Sequence, residues 1–494
     1  PAKLAGLVQF RGRLLLSVLG GGIGCLGYAA APAAARVELE VTPGLRPAFQ
    51  PDVTDYVSHC RHRNPLHVTV RTSAGERVSV AGRPERSGTF AAQARRRIGA
   101  QMSVRARVPG GRTTVYHVRC LPPDFPDWTA ARHGTPQAQW YVAAPVGQYV
   151  AIFDTRGAPV WWRRGASDRL KPWDAKLLGD GTLVWGHDVG HFGTRPHGSF
   201  EERTLDGRLV RRLRTKGSPT DMHDLQQLPN GHFLGITYRP RDHVDLSAYG
   251  GPSNARVFDG EIQELTPAGR VVWRWNSASH ISPSETGREW WYNEAHGRPP
   301  PPERGYDLLH MNSVEPDGDG LVVSARHLNA VFHIDRATGD VDWKLGGSFV
   351  RGRSLTVLGM PPAKPVFTGQ HDARLWKDGT LTVYDNRAHI APPLADRFRI
   401  DPVSMTATRI EAVGEPDVRR SDWGGSARKL PGGNWVVCWG ATPWITEQTP
   451  AGAVVFSLHM SSYSFSYRTQ GVPPGVVSAG RLRRAMDRMA RRSQ

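Results

Sequence analysis

One phrase constrains the fold of this chain more than any other: a strand–turn–strand unit that returns with its internal spacing preserved. It reads His223-Asp-Leu-Gln-Gln-Leu-Pro-Asn230-Gly231, His310-Met-Asn-Ser-Val-Glu-Pro-Asp317-Gly318 and His371-Asp-Ala-Arg-Leu-Trp-Lys-Asp378-Gly379. Each histidine stands seven residues before the Asn or Asp of an Asn-Gly or Asp-Gly pair. Such a pair supplies the positive φ of a tight hairpin turn. Two further copies without the histidine run over Ala175–Trp185 and Ser426–Val437. A second hairpin phrase alternates with the first, at Thr155–Trp161, Thr204–Val210, Thr266–Trp273, Asp335–Trp343 and Thr449–Phe456. One hairpin cannot bury both of its faces, whereas stacked four-stranded units can. The second phrase first appears at 155, ahead of any complete unit. The pattern therefore predicts an all-β, six-bladed β-propeller whose last blade is closed by strands from both ends of the repeat region. A stacked sandwich or a solenoid would give similar short strands.

Ahead of the repeats, residues 36–122 read as a small β-sandwich. Val37–Val41, Leu66–Val70 and Met102–Val108 alternate with a period of two, and Pro109-Gly-Gly turns into Thr113–Val118. Residues 130–477 are then the propeller and expected catalytic domain, and 478–494 a basic tail. In that tail Leu482, Ala485, Met486 and Met489 mark one helical face among arginines. Residues 1–35 combine Lys3, Arg11 and Arg13 with an apolar run and an alanine-rich end, the order of a signal or membrane-targeting segment. This predicts export to the cell envelope, periplasm or medium, with membrane attachment through that segment as an alternative. Export permits disulfides. Of the three pairings open to four cysteines, Cys60–Cys120 is chosen because these two flank most of the sandwich; Cys438 sits in an apolar strand. Two insertions, 239–256 and 280–306, break the rhythm and are expected as loops near the channel mouth.

The formal net charge of +18 suits anionic partners. No zinc-finger, RNA-binding-sheet or recognition-helix pattern accompanies it, so no nucleic acid is expected. Equivalent positions in repeated units converge on one axis, which brings His223, His310 and His371 together. A lone strand histidine is more often structural, and Asp224 and Asp372 could belong to structural networks. Arg326 follows the second strand of the His310 unit, and Arg239 and Arg387 stand at comparable places after the other two turns. Guanidinium groups beside imidazoles make a site for a compact oxyanion. Trp290, Trp291 and Tyr292 in the second insertion are candidates for aryl contacts. Three histidines could also bind zinc or copper, but no fourth ligand keeps the register, and His187-Asp-x-x-His191 lacks a helix to orient it. No metal and no cofactor is expected.

Asp221–Gly231, Leu309–Gly318 with Val323–Asn329, and Phe367–Arg374 resemble the bacterial arylsulfate sulfotransferase family, which is independent of the nucleotide donor PAPS. The resemblance spans most of 145–460. It implies a six-bladed propeller with its site in the central channel, usually in an exported protein. It further implies His371 as a nucleophile that becomes transiently sulfurylated, with His223, His310 and Arg326 binding the sulfuryl oxygens. Aryl sulfates and phenols would be the partners. The cross-class alternative is a noncatalytic secreted propeller that binds an anionic ligand or a protein. The physiological phenols and the oligomeric state stay open.

Overall fold

The computed structural model describes residues 37–494 except 61–63, 146–147, 168–169, 189–197, 291–304, 362–364, 462–463 and 493–494. The expected targeting segment at 1–35, His191, Trp291 and Tyr292 lie outside the described residues.

Alternation gives the first region two sheets. Glu38–Thr42, Leu66–Arg71 and Phe90–Ala94 form one, and Asp55–His59, Thr113–Leu121, Gln101–Arg107 and Arg77–Val80 the other. Leu39, Val68, Val104 and Val118 turn inward to a shared apolar core. Cys60 and Cys120 are joined by a disulfide with their Cα atoms 5.2 Å apart. Cys438 is a free, buried thiol.

Beyond the sandwich the described residues build six four-stranded antiparallel sheets, three of them with an added edge strand. Their turns are those the sequence prescribes: Gly231 and Gly379, the second residues of their Asx-Gly pairs, take φ of 80° and 73°. The inner strands are Lys171–Leu177, Thr220–Gln227, Met311–Asp317, His371–Leu375, Ser426–Lys429 and Thr469–Val472, and each neighbours the next around a closed ring. This is a β-propeller. Its ring closes where Thr469–Val472 pairs with Trp140–Ala143, so that one sheet mixes both ends of the repeat region. A second seal forms where Trp128–Arg132 adds to Val454–Met460. Closure of this kind leaves few sheet edges exposed.

One expectation changes. Residues 239–256 are not an irregular loop at their base, because Phe233–Val244 and Ala255–Leu265 continue as one long hairpin. Cross-strand ion pairs Arg241–Asp259 and Arg256–Asp242 favour that extension. Ala479–Arg492 is a helix whose Leu482, Ala485 and Met486 are buried. Its Asp487 pairs with Arg119 at 2.9 Å and its Arg483 with Asp55, which fixes it between the sandwich and the propeller. No helix among the described residues is long and apolar enough to cross a membrane.

Candidate active site

Regular strands would point alternate residues away from the axis. Here the inner strands break register between Trp173 and Lys176, Thr220 and Leu225, Met311 and Ser313, and His371 and Arg374. A bulge re-aims side chains and lets neighbouring residues serve different partners. The left-handed φ of His310 (51°) and Asp372 (56°) belongs to these breaks. Strained positions of this sort concentrate at functional sites.

His223, His310 and His371 are thereby gathered and buried, with 3%, 4% and 1% of their surface exposed. The His223 and His310 rings lie 5.0 Å apart, and Tyr467 stands 5.7 Å from His223 and 6.2 Å from His371. Each imidazole is oriented through Nδ1. His223 meets Asp221 at 2.8 Å and His310 meets Asp307 at 2.7 Å. His371 Nδ1 lies 2.9 Å from the Gly369 carbonyl and 2.8 Å from Asn386 Oδ1. The Asn386 amide nitrogen donates to the Ser421 and Gly424 carbonyls, so its oxygen must face the imidazole. Two acceptors at Nδ1 put the His371 proton there. The basic lone pair is left on Nε2, which accepts the Gly424 N–H at 3.2 Å. Gly424 takes φ of 68°, and a Cβ there would press on Tyr467, so glycine permits this close backbone approach.

Burial, then the charge of Arg326, holds His371 well below the usual histidine range; burial, then His223 and Arg326, does the same to His310. Both are neutral bases at physiological pH. Arg326 follows the strand Gly320–Ala325 and is braced on three sides. It donates to the Asp422 carbonyl at 3.0 Å and to His327 Nε2 at 3.1 Å, and its guanidinium covers the Trp290 ring at 4.0 Å. His327 can accept that bond because burial and its neighbour His310 push its pKa down to about 3. Asp307, His310 and His327 also bring potential metal-ligand atoms within 4.8 Å of one another. In the present arrangement Asp307 instead accepts from both rings, through its carboxylate and its carbonyl.

The remaining sequence candidates go elsewhere. Arg239 is held by Glu261 at 2.8 and 3.1 Å, a pairing that follows from the lengthened hairpin. Arg387 caps its own loop through the Pro392 carbonyl, with its charge acting on the carboxyls of Asp385 and Asp396. Trp290 is 3% exposed and lies against His327 at 4.9 Å as well as Arg326, so it props up the cation and offers no open face.

A model of the arylsulfotransferase (ASST) family matches residues 201–461. The chain belongs to the arylsulfotransferase family. That places it in a class of sulfotransferase enzymes, and the matched span holds His223, His310, Arg326 and His371. No curated protein matches this family member. Among solved structures, a Bacteroides caccae protein of unknown function is 13% identical, covering 67% of this chain and 98% of its own, with a TM-score of 0.41. Virginiamycin B lyase from Staphylococcus aureus is 11% identical over 67% of this chain and 87% of its own, with a TM-score of 0.35. The β-propeller domain of Myceliophteria thermophila Cps50 (Swd1) is 12% identical over 67% and 89%, also at 0.35.

The site of this arylsulfotransferase family member also contains residues that the repeat did not single out. His327 is adjacent to Arg326 in the quoted motif, and adjacency was its only signal. Trp173 stands seven residues before Asp180-Gly181, so it holds the histidine register in a unit that has no histidine. Asn386 lies one residue past the strand that partners His371. Tyr467 and Arg468 come from the closing segment, which lacks an Asx-Gly turn to set a register. Arg468 is 1% exposed and donates to the carbonyls of His223 and Asn312. It is flanked by Asp372 at 3.3 Å, Asp174 at 3.4 Å and Asp224 at 3.5 Å, and so floors the site with charge.

Proposed function

We propose that the chain transfers a sulfuryl group from an aryl sulfate to a phenol through a sulfurylated His371. One observation carries this: a buried imidazole whose Nδ1–H is locked on Asn386 and Gly369, leaving Nε2 unprotonated near Arg326. Nε2 attacks the sulfur, the sulfur–oxygen bond to the ring breaks, and a phenolate leaves. An acceptor phenol then takes the sulfuryl group from Nε2. The leaving phenolate gains one proton and the acceptor loses one, so the exchange balances without a cofactor. Arg326 stabilises the sulfuryl oxygens, and His223 and His310, whose Nδ1–H groups are held by Asp221 and Asp307, donate to them once each also carries a proton on Nε2. The Gly424 N–H joins them, because it already lies against the attacking nitrogen and loses its acceptor when that lone pair bonds to sulfur. A neutral nucleophile next to a fixed cation favours the charge that develops during transfer over the free site.

The Cys60–Cys120 disulfide supports an oxidising compartment. With the order of residues 1–35, it makes this an exported enzyme in the proposed scheme.

Incubation with 4-nitrophenyl sulfate and a second phenol should release 4-nitrophenol and form a new sulfate ester. Donor alone should leave a sulfuryl mass on His371. A protein that binds the donor and never releases phenol is a noncatalytic binder, and an adduct on another residue removes His371 from the role.

A further inference from the structure

We propose that Trp173, Trp423 and Phe465, backed by Tyr467, form the wall that receives the aromatic ring of donor and acceptor, an inference that rests on the sulfuryl transfer proposed above. An aryl sulfate joins its ring to sulfur through one oxygen. The ring must therefore lie within a few ångströms of whatever attacks the sulfur, and aromatic partners engage at centroid distances of about 4.5–7 Å. The wall meets this requirement from two directions. Tyr467 is edge-on to His371 at 6.2 Å, and Trp173 stacks on Tyr467 at 4.7 Å with 22° between the planes. Trp423 precedes Gly424, the donor to His371 Nε2, and follows Asp422, which holds Arg326. The wall is thus covalently continuous with two of the groups that would meet the sulfuryl oxygens.

Its internal packing leaves a usable edge. Trp423 lies nearly parallel to Trp173 at 6.4 Å and 12°, too far for close stacking, and Phe465 stands perpendicular to both, at 4.9 and 6.0 Å. Exposure rises along the series from Tyr467 at 2% through Trp173 at 9% to Trp423 at 39%. A gradient from solvent to the nucleophile is what an incoming ring requires. The indole N–H of Trp173 has no acceptor among the described residues. A buried donor of this kind is costly until an acceptor arrives, and an ester or phenolic oxygen on a ring against the wall supplies one. The occupant is a planar aryl group bearing one anionic head: the ring goes to the wall and the head to Arg326. Trp290 does not compete for this role, since Arg326 and His327 occupy its faces.

The test uses the full chain and two sulfonates that cannot transfer a sulfuryl group, naphthalene-2-sulfonate with a ring and methanesulfonate without one. Trp423→Ala should weaken naphthalene-2-sulfonate binding about tenfold, in line with the loss of a ring contact and its buried area, and leave methanesulfonate within about twofold. Phe465→Leu should do the same to a smaller degree and serves if the first variant misfolds. Ring affinity unchanged in both variants overturns the wall, as does a wild type that binds neither sulfonate. Turnover of 4-nitrophenyl sulfate separates the two readings. A wild type with no turnover whose ring affinity still depends on Trp423 keeps the wall and loses sulfuryl transfer. Full turnover with ring affinity indifferent to both substitutions does the reverse.

Discussion

His371 meets an amide oxygen, a carbonyl and a backbone N–H, while the next residue in the chain, Asp372, meets Arg374 at 2.8 Å, Arg428 at 2.7 Å and Arg468 at 3.3 Å. The same step separates His223 from Asp224, which pairs with Lys176, Arg374 and Arg468. Two tiers therefore cross the propeller axis, one of imidazoles and one of ions. The lower tier is balanced: Lys176, Arg374, Arg428 and Arg468 face Asp174, Asp224, Glu315 and Asp372. Buried charges persist only in such mutual pairing, and a balanced set has no charge left for a ligand. In the upper tier Arg326 stands near His310 and His371, which burial keeps uncharged, while Asp221 and Asp307 hold the rings of His223 and His310 from behind. An anion entering the axis meets the Arg326 guanidinium there and mutually paired ions below. Chemistry and closure are thus divided between adjacent residues.

Exchanging alanine for each neighbour in turn should separate the tiers most sharply. His371→Ala should abolish phenol release and the sulfuryl adduct while the protein stays folded, since it removes an uncharged ring. Asp372→Ala strips one carboxylate from three guanidinium groups and should cost about 3–5 kcal/mol of stability, the usual penalty for breaking a buried ion pair. Thermal unfolding of both variants beside wild type checks this. Equal destabilisation would mean that the two tiers are one structural network and would remove the reason for treating the histidines separately.

Arg326→Ala comes next. Loss of a charge-assisted donor to a transition state is worth about 2–4 kcal/mol in rate, so transfer should fall by a factor of roughly one hundred to one thousand. Its partners include a carbonyl, a neutral imidazole and a ring face, and unfolding should shift less than for Asp372→Ala. A variant that loses stability in proportion to activity would place Arg326 with the lower tier.

These two tiers were unequally legible in the sequence. The histidines stood out because hairpin turns count residues, and a seven-residue spacing to Asx-Gly is visible without any structure. Trp173 obeyed the same count and was hidden only by being a tryptophan. The ion tier follows the same register, since Asp174, Asp224 and Asp372 are each one residue past it, yet alternation predicts that such residues turn away. The bulges at Trp173–Lys176 and His371–Arg374 override alternation, and nothing local in the sequence announces a bulge. Tyr467 and Arg468 needed ring closure to reach the axis, a contact across the whole repeat region. The sheets themselves were the easiest part, because each needs only its own turns.

Acid should distinguish the tiers by the pH at which each fails. His310 and His371 are held below the ordinary value of 6.5, and His327 at about 3. Unfolded chains take up these protons first, so the stability that neutral histidines contribute is lost as pH falls from about 6.5 toward the folded values. Asp224 and Asp372 are held below 3.8 despite burial, through Arg374 with Lys176 and Arg428 respectively, and their contribution goes only below that pH. Asp154 and Asp396, pushed up to about 7 by burial, act with the opposite sign between those limits. The informative quantity is therefore the difference between wild type and His371→Asn in denaturant midpoint from pH 7.5 to 4.5. The variant should lose less stability on acidification. Parallel curves would show that His371 titrates normally in the folded chain.

The smallest effect tests where the upper tier ends. Trp290 donates to Asn329 at 3.0 Å and lies under Arg326 and His327, so its ring is expected to brace the cation and not to contact substrate. A cation–π contact of this kind is worth about 1 kcal/mol. Trp290→Leu should then lower kcat roughly fivefold through a less well held Arg326. The ratio of kcat/KM for naphthyl over phenyl sulfate should stay at its wild-type value, because the loss is common to every donor. Trp423→Ala should move that ratio and spare the part of kcat that depends on Arg326. If Trp290→Leu changes ring preference as Trp423→Ala does, the ring beneath the cation is itself a substrate surface, and the division between bracing and recognition falls nearer the axis than the burial of Trp290 indicates.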